Sequence, residues 1–241
     1  MLKVGIHDDL VLEKAGKNDK GTLALVFRPK SLNAGEAKKK SVFQEEEDMS
    51  VSGDDSNSPL LIFPFKISTF KKKDGSDFSD KELIELAQDD MKKLKNQLTS
   101  ILGAYMPLTG LKWRAYDGTG ITEANYEVEM LDNDNLFKIY TNYVDQFLEK
   151  VAPFLNDDNH AVRLKLVRQS KDKHYATIPS RYLDTNPFIE PMEVPKDRSQ
   201  LKYTKYEKDN GLDNGDAVSK DEADAPPETT PEASSGVFGA R

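Results

Sequence analysis

The sequence predicts an α+β protein, with a small antiparallel sheet or barrel, two amphipathic helices and an acidic tail. Several short runs alternate apolar and polar residues, as half-buried strands do, and two longer segments repeat apolar residues at helical intervals. Residues 209–241 are rich in Asp, Glu, Pro, Ala and Ser, a composition that cannot bury a core. We therefore expect one domain over residues 1–208 and a disordered tail over residues 209–241.

Strands and a long insertion are predicted in the N-terminal part. The apolar run 10–12, a polar turn and the apolar run 22–27 have the pattern of a β-hairpin. Residues 29–59 lose this periodicity and fill with Ser, Gly, Asp, Glu and Lys, which predicts a mobile insertion. The apolar run 60–70 predicts a further strand, in which Pro64 marks a bulge or a sheet edge.

The two amphipathic helices follow. Ser79 and Glu82 have the spacing of a capping box, and apolar residues then recur at intervals of three and four as far as Gly103. Residues 135–155 repeat this pattern after a run of Asp and Asn that can cap the helix. Each helix therefore presents one apolar face to a core.

The segment between the helices holds the single tryptophan. Residues 112–116 alternate cations and rings, which predicts a strand. A Trp beside Lys and Arg can stack on nucleic-acid bases, so Trp113, Arg114 and Tyr116 are candidate contacts. The alternative is that Trp113 belongs to the core.

A second hairpin, over residues 162–182, carries the clearest functional signal. Apolar residues alternate with cations over residues 162–168, a polar tip follows, and a β-prone run returns as far as Pro179. Cations and aromatic rings on one strand pair can form a single-stranded nucleic-acid groove, because charge follows phosphate and rings stack bases. The candidate contacts are Arg163, Lys165, Arg168, Lys171, Lys173, Tyr175, Arg181 and Tyr182. The alternative is a solvated face whose cations protect a sheet edge.

The charge distribution is more informative than the net charge of −8. Residues 161–206 hold ten Lys and Arg against five acids, whereas residues 207–235 hold nine acids against two lysines. A basic block is thus followed directly by an acidic tail. Residues 187–191 look like an extended edge segment, and residues 201–206 alternate again, which predicts a closing strand.

The composition also argues against several classes of protein. The absence of Cys excludes disulfides, thiolate metal sites and thiol nucleophiles, and three His make a His-rich metal site improbable. No apolar run reaches the roughly 20 residues of a membrane span, and the N-terminal residues do not form a signal peptide. No catalytic motif is present. We expect a cytoplasmic protein that is not an enzyme and that has no cofactor, no metal and no membrane partner.

Four stretches together resemble a known family: LVLEKAGKNDKGTLALVF, VRLKLVRQSKDKHYATIPSRY, NPFIEP and LKYTKYE before the acidic tail. Their order is similar to that in the single-stranded-DNA-binding proteins of large tailed phages, particularly the crAss-like group. The resemblance implies a five-stranded oligonucleotide-binding (OB) barrel elaborated by helices, which coats single-stranded DNA in replication and recombination in the host cytoplasm.

The resemblance also implies that the acidic tail competes for the basic groove or recruits replication and recombination proteins. The chain departs from the family because it ends in Phe238-Gly-Ala-Arg241 rather than in a run of acids. This departure leaves the role of the tail open. The alternative function is a structural or assembly protein of a virion without affinity for DNA.

Overall fold

A curled antiparallel sheet, shaped like half a barrel, forms the centre of the structure, and helices pack against it. The computed structural model describes residues 4–17, 21–32, 60–63, 72, 74–114, 126–168, 176–179 and 186–213. The strands are β1 (Gly5–Lys17), β2 (Leu23–Pro29), β3 (Leu60–Phe63), β4 (Val162–Arg168), β5 (Ala176–Thr177) and β6 (Ile189–Pro191). The helices are α1 (Asp80–Gly103), α2 (Tyr126–Glu129), α3 (Asn133–Val151) and α4 (Lys205–Asp209), with 3-10 turns at Ala152–Phe154, Asp158–His160 and Lys196–Arg198. The predicted α+β class is confirmed.

Strand β1 is shared by the two halves of the sheet. The strand order is β3-β2-β1-β4-β5, β6 also pairs with β4, and all these pairs are antiparallel. The first half of β1 pairs with β4 and the second half with β2; the register shifts between His7 and Leu10 and again between Leu12 and Lys14. Such irregularities bend a strand and increase its twist, which explains why the sheet curls.

The hydrophobic core lies between one face of this sheet and the two long helices. The side chains of Leu25 and Phe27 on β2 and of Leu164 on β4 point into it and are fully buried. The apolar stripe of α1 consists of Ala87, Met91, Leu94, Leu98, Ile101 and Leu102. The stripe of α3 consists of Leu136, Ile139, Tyr140, Tyr143, Val144, Phe147 and Val151. Both amphipathic helices predicted from the sequence are confirmed, with their apolar faces inward.

Local side-chain caps determine where these helices begin. The Ser79 hydroxyl accepts a hydrogen bond from the Glu82 N–H, and the Glu82 carboxylate accepts one from the Ser79 N–H at 2.8 Å. This is the predicted capping box. Hydrogen bonds from Lys72 and Ser79 lower the pKa of Glu82 to about 2. At α3 the Asp132 carboxylate accepts from the Asp134 N–H at 2.8 Å.

A buried hydrogen bond joins α3 to β2. The backbone N–H of Leu23 donates to the hydroxyl of Tyr140 at 2.8 Å, and both residues are buried. The substitution Tyr140→Phe is expected to reduce the free energy of unfolding by about 1–3 kcal/mol, because a buried donor loses its acceptor. Urea unfolding followed by circular dichroism measures this, with the more exposed Tyr206→Phe as the control. An equal, small change in both variants would contradict a role of this bond in holding the helix to the sheet.

The structure differs from the sequence prediction in two segments. Residues 201–206 are not a closing strand: residues 201–204 belong to no helix or strand, and α4 begins at Lys205. The reason is a second capping box, in which Thr204 accepts from the Glu207 N–H and Glu207 accepts from the Thr204 N–H. Likewise residues 112–114 form no strand.

The boundary predicted for the tail also falls within ordered structure. Residues 209–213 are described, and the Leu212 carbonyl accepts a hydrogen bond from the Arg168 N–H of β4 at 2.8 Å. The rest of the predicted tail, residues 214–241, and most of the predicted insertion, residues 33–59, lie outside the described residues. None of the helices in the described ranges is both long and apolar enough to cross a membrane.

Candidate nucleic-acid interface

The predicted contact residues fall into three groups in the structure. Arg163, Lys165 and Arg168 lie on β4, and Trp113 and Arg114 lie in the segment after α1. The remaining candidates lie outside the described residues: Tyr116, Lys171, Lys173, Tyr175, Arg181 and Tyr182. The hairpin itself is present, because β4 pairs antiparallel with β5 at Val167↔Thr177 and Arg168↔Ala176.

The three cations of β4 are buried. Arg163 and Arg168 are each 3% exposed and Lys165 is 0% exposed. The expectation that they face solvent is therefore wrong for these three side chains. The alternation of residues 162–168 predicts one buried and one solvated face, but every residue of β4 is buried. The second face meets residues 186–213, which supply carboxylates, an amide and carbonyl groups to it.

Arg163 is held by two carboxylates. Its Nε donates to Asp8 Oδ1 at 2.5 Å, and its Nη1 donates to Glu190 and to the carbonyl of Val194. Asp8 also forms an ion pair with Lys196 at 2.6 Å. The hydrogen bond from Lys196, and to a smaller extent the one from Arg163, lowers the pKa of Asp8 below 3.8. This cluster joins β1, β4 and β6, so the guanidinium group of Arg163 acts as a structural tie.

Lys165 donates to three acceptors of the C-terminal segment. Its Nζ donates to Asn186 Oδ1, to the Lys202 carbonyl at 2.9 Å and to Glu207 Oε2 at 3.4 Å. It also lies 5.9 Å from the centre of the Tyr203 ring, within the range of a cation–π contact. Burial lowers the pKa of Lys165, and the charge of Glu207 opposes that shift. An ammonium group has three donor hydrogens, so none is left for a phosphate.

Glu207 is the common acceptor of this network. It is 3% exposed, and it accepts from Lys165, from Asn186 Nδ2 at 2.7 Å and from the Thr204 N–H at 2.7 Å. One carboxylate thus caps α4 and neutralises the buried ammonium group. The arrangement attaches residues 202–207 to β4.

Trp113 contacts the helices. Its Nε1 donates to Thr99 Oγ1 of α1 at 2.8 Å, and its ring meets Tyr143 of α3 edge-on with 5.7 Å between centroids. The ring is half-buried against the core. The structure therefore supports the core alternative for Trp113. Arg114 is exposed, and its backbone is hydrogen-bonded to the side chain of Gln146.

One set of exposed basic residues is absent from the contacts predicted from the sequence. Five cations of residues 196–208 are exposed: Lys196, Arg198, Lys202, Lys205 and Lys208. Four of them belong to the basic block and Lys208 follows it, and the alternation of residues 201–206 predicts that Lys202 and Lys205 lie on opposite faces of a strand. The capping-box spacing of Thr204 and Glu207 was the signal that could have identified a helix here.

Neither a metal-binding group in the described residues nor a match to a known protein adds evidence about the site. Within the described ranges, no group of three His, Asp or Glu side chains is arranged to hold a metal ion. The resemblance to phage proteins stays a prediction from the residues. No family model matches the chain, and neither a curated protein nor a solved structure matches it.

Proposed function

We propose that this protein binds single-stranded DNA without sequence preference through an OB-like sheet. The observation that carries the proposal is the strand arrangement: β1 pairs with both β2 and β4, the sheet curls, and β4 turns back antiparallel into β5. An OB fold is a five-stranded, partly open barrel in which the loops between strands 1 and 2 and between strands 4 and 5 bind oligonucleotides. The proposal is supported by the similarity of this strand arrangement to an OB fold and by the residues of the β4–β5 loop.

The loop between β4 and β5 has the composition that this role requires. Residues 169–175 include Lys171, Lys173 and Tyr175, which are cations and a ring of the kinds that contact phosphates and stack on bases. The β4–β5 pairing places both ends of this loop at the same end of the sheet. Because the cations of β4 itself are buried, the loop rather than the strand is the part of the hairpin that we assign to DNA.

This function needs no catalytic group or cofactor. Cations displace counterions from phosphates, and rings stack on bases whatever their sequence. The proposal includes the acidic residues beyond 213 as a segment that competes with DNA or recruits replication and recombination proteins in a phage-infected cell. Binding would take place in the cytoplasm of the host.

Fluorescence anisotropy with a labelled oligonucleotide tests the proposal. Single-stranded DNA is expected to bind more tightly than a duplex, and the logarithm of the affinity is expected to fall with the logarithm of salt by about 0.7 per phosphate contacted. The variant K171A/K173A/Y175A is expected to weaken binding, with about 1–3 kcal/mol coming from the ring. K92A/K93A, two exposed lysines of α1, is the charge-matched control.

Two results would contradict the proposal in different ways. No binding of single-stranded DNA by the unmodified protein at low salt would refute the function, and assembly into rings or particles would then favour the virion alternative. Equal affinities of the loop variant and the α1 control would remove the loop from the site.

A further inference from the structure

We infer that a second part of the DNA site lies on the C-terminal segment of the domain, on a surface that we call the basic ridge. It consists of Arg198, Lys202, Lys205, Tyr206 and Lys208. The ligand is the phosphate backbone of a single strand, the same strand that the β4–β5 loop is proposed to bind. The inference thus rests on the proposed function and states where most of the phosphate contacts are made.

The orientation of α4 is set by Glu207. Successive residues of a helix are rotated by about 100°, so a buried Glu207 turns its neighbours away from the sheet. Glu207 is 3% exposed, whereas Lys205 and Lys208 are exposed and Tyr206 is 37% exposed. The bond that Lys165 donates to Glu207 therefore leaves two ammonium groups and a ring of α4 facing solvent.

The ridge is attached to β4 close to the start of the hairpin loop. The Tyr203 hydroxyl donates to the Leu166 carbonyl at 3.1 Å, and the Leu212 carbonyl accepts from the Arg168 N–H at 2.8 Å. Arg168 is the last residue of β4, and residue 169 opens the loop. The segment that carries the ridge is therefore hydrogen-bonded to the last residues of β4, from which the chain continues into the loop.

The cations of the ridge are available for a ligand. No carboxylate in the described ranges forms an ion pair with Arg198, Lys202, Lys205 or Lys208. Two exposed carboxylates, Asp197 and Asp209, adjoin Arg198 and Lys208 in sequence, and neither forms an ion pair with them. Glu207 is directed inward to Lys165. Within the described ranges, residues 198–208 bring exposed cations without an ion pair and a partly exposed ring into one short segment. This is the composition of a single-strand groove, in which charge follows phosphate and the ring stacks on a base. An acidic protein bound to the same surface would contact the charges but would have no base to stack on the ring.

The variant K202A/K205A/K208A tests the ridge. If each lysine contacts one phosphate, the slope of log affinity against log salt should decrease by about 2, and the affinity for single-stranded DNA should fall about 100-fold at 0.1 M salt. The control K81A/K92A/K93A removes the same charge from exposed positions of α1 and should change both quantities little. Circular dichroism establishes that both variants are folded.

A second variant separates the ring from the charges. Tyr206→Ala should weaken binding about 5- to 150-fold without changing the salt slope, because stacking releases no counterions. An unchanged affinity and slope in the lysine variant, or equal losses in its α1 control, would overturn the ridge and leave the proposed function standing. Failure of the unmodified protein to bind single-stranded DNA would overturn both. An effect of the lysines without any effect of Tyr206 would show a general polyanion surface and would overturn the single-strand assignment.

Discussion

Replacing Lys165 by alanine is expected to reduce the free energy of unfolding by about 3–5 kcal/mol, because Glu207 and Asn186 would be left buried without the ammonium group that they contact. Lys165 is 0% exposed, so water does not replace the lost donor without local opening. Urea unfolding measured by circular dichroism gives the difference. Lys205→Ala, which removes an exposed lysine 40 positions further along the chain, should change stability by less than about 0.5 kcal/mol.

A double variant shows whether Lys165 acts through Glu207. The variant K165M/E207L should recover part of the lost stability, because a buried ion pair can be replaced by apolar side chains of similar volume. Recovery should be incomplete, since Glu207 also caps α4 and accepts from Asn186. Equal stabilities of Lys165→Ala and Lys205→Ala would contradict the buried network and would return Lys165 to the list of candidate DNA contacts.

Replacing Arg163 by alanine is the second substitution with a large expected effect, about 3–5 kcal/mol at pH 7. It would leave Glu190, a buried carboxylate, and Asp8 without the guanidinium group that they share. Arg163→Lys keeps the charge but loses the forked geometry and should have an intermediate stability. Both are compared with the unmodified protein by urea unfolding.

The pH dependence of this loss identifies its electrostatic part. Lys196 and Arg163 lower the pKa of Asp8 below 3.8 in the folded state, so this carboxylate contributes stability above pH 3.8 and loses it as the pH falls through the folded pKa. In Arg163→Ala the pKa of Asp8 is lowered less, so this variant loses less stability when the pH falls. The stability difference between the two proteins should therefore shrink below about pH 4. A difference that stays constant from pH 7 to pH 3 would indicate lost packing rather than lost pairing.

Local rules allowed much of the fold to be predicted. The Ser79–Glu82 capping box and the apolar intervals after it located α1, because a helix start depends on side chains only three residues apart. The β1–β2 and β4–β5 hairpins were predicted from short apolar runs separated by polar turns. Where two local patterns competed, at residues 201–206, alternation suggested a strand and the Thr204–Glu207 capping box formed a helix.

The sequence by itself determined the two long helices, the strands of both hairpins and the division into a basic block and an acidic tail. Only the tertiary structure decided which cations are available to a ligand. Lys165 alternates with apolar residues in the same way whether its face meets water or another segment, and its partners Asn186 and Glu207 lie 21 and 42 residues away in the chain. Burial of a charge depends on such distant partners, because an ammonium group enters the interior only where a carboxylate and other acceptors replace water. For that reason Arg163 and Lys165 of β4 are structural, and the exposed cations of residues 198–208 are the candidate contacts.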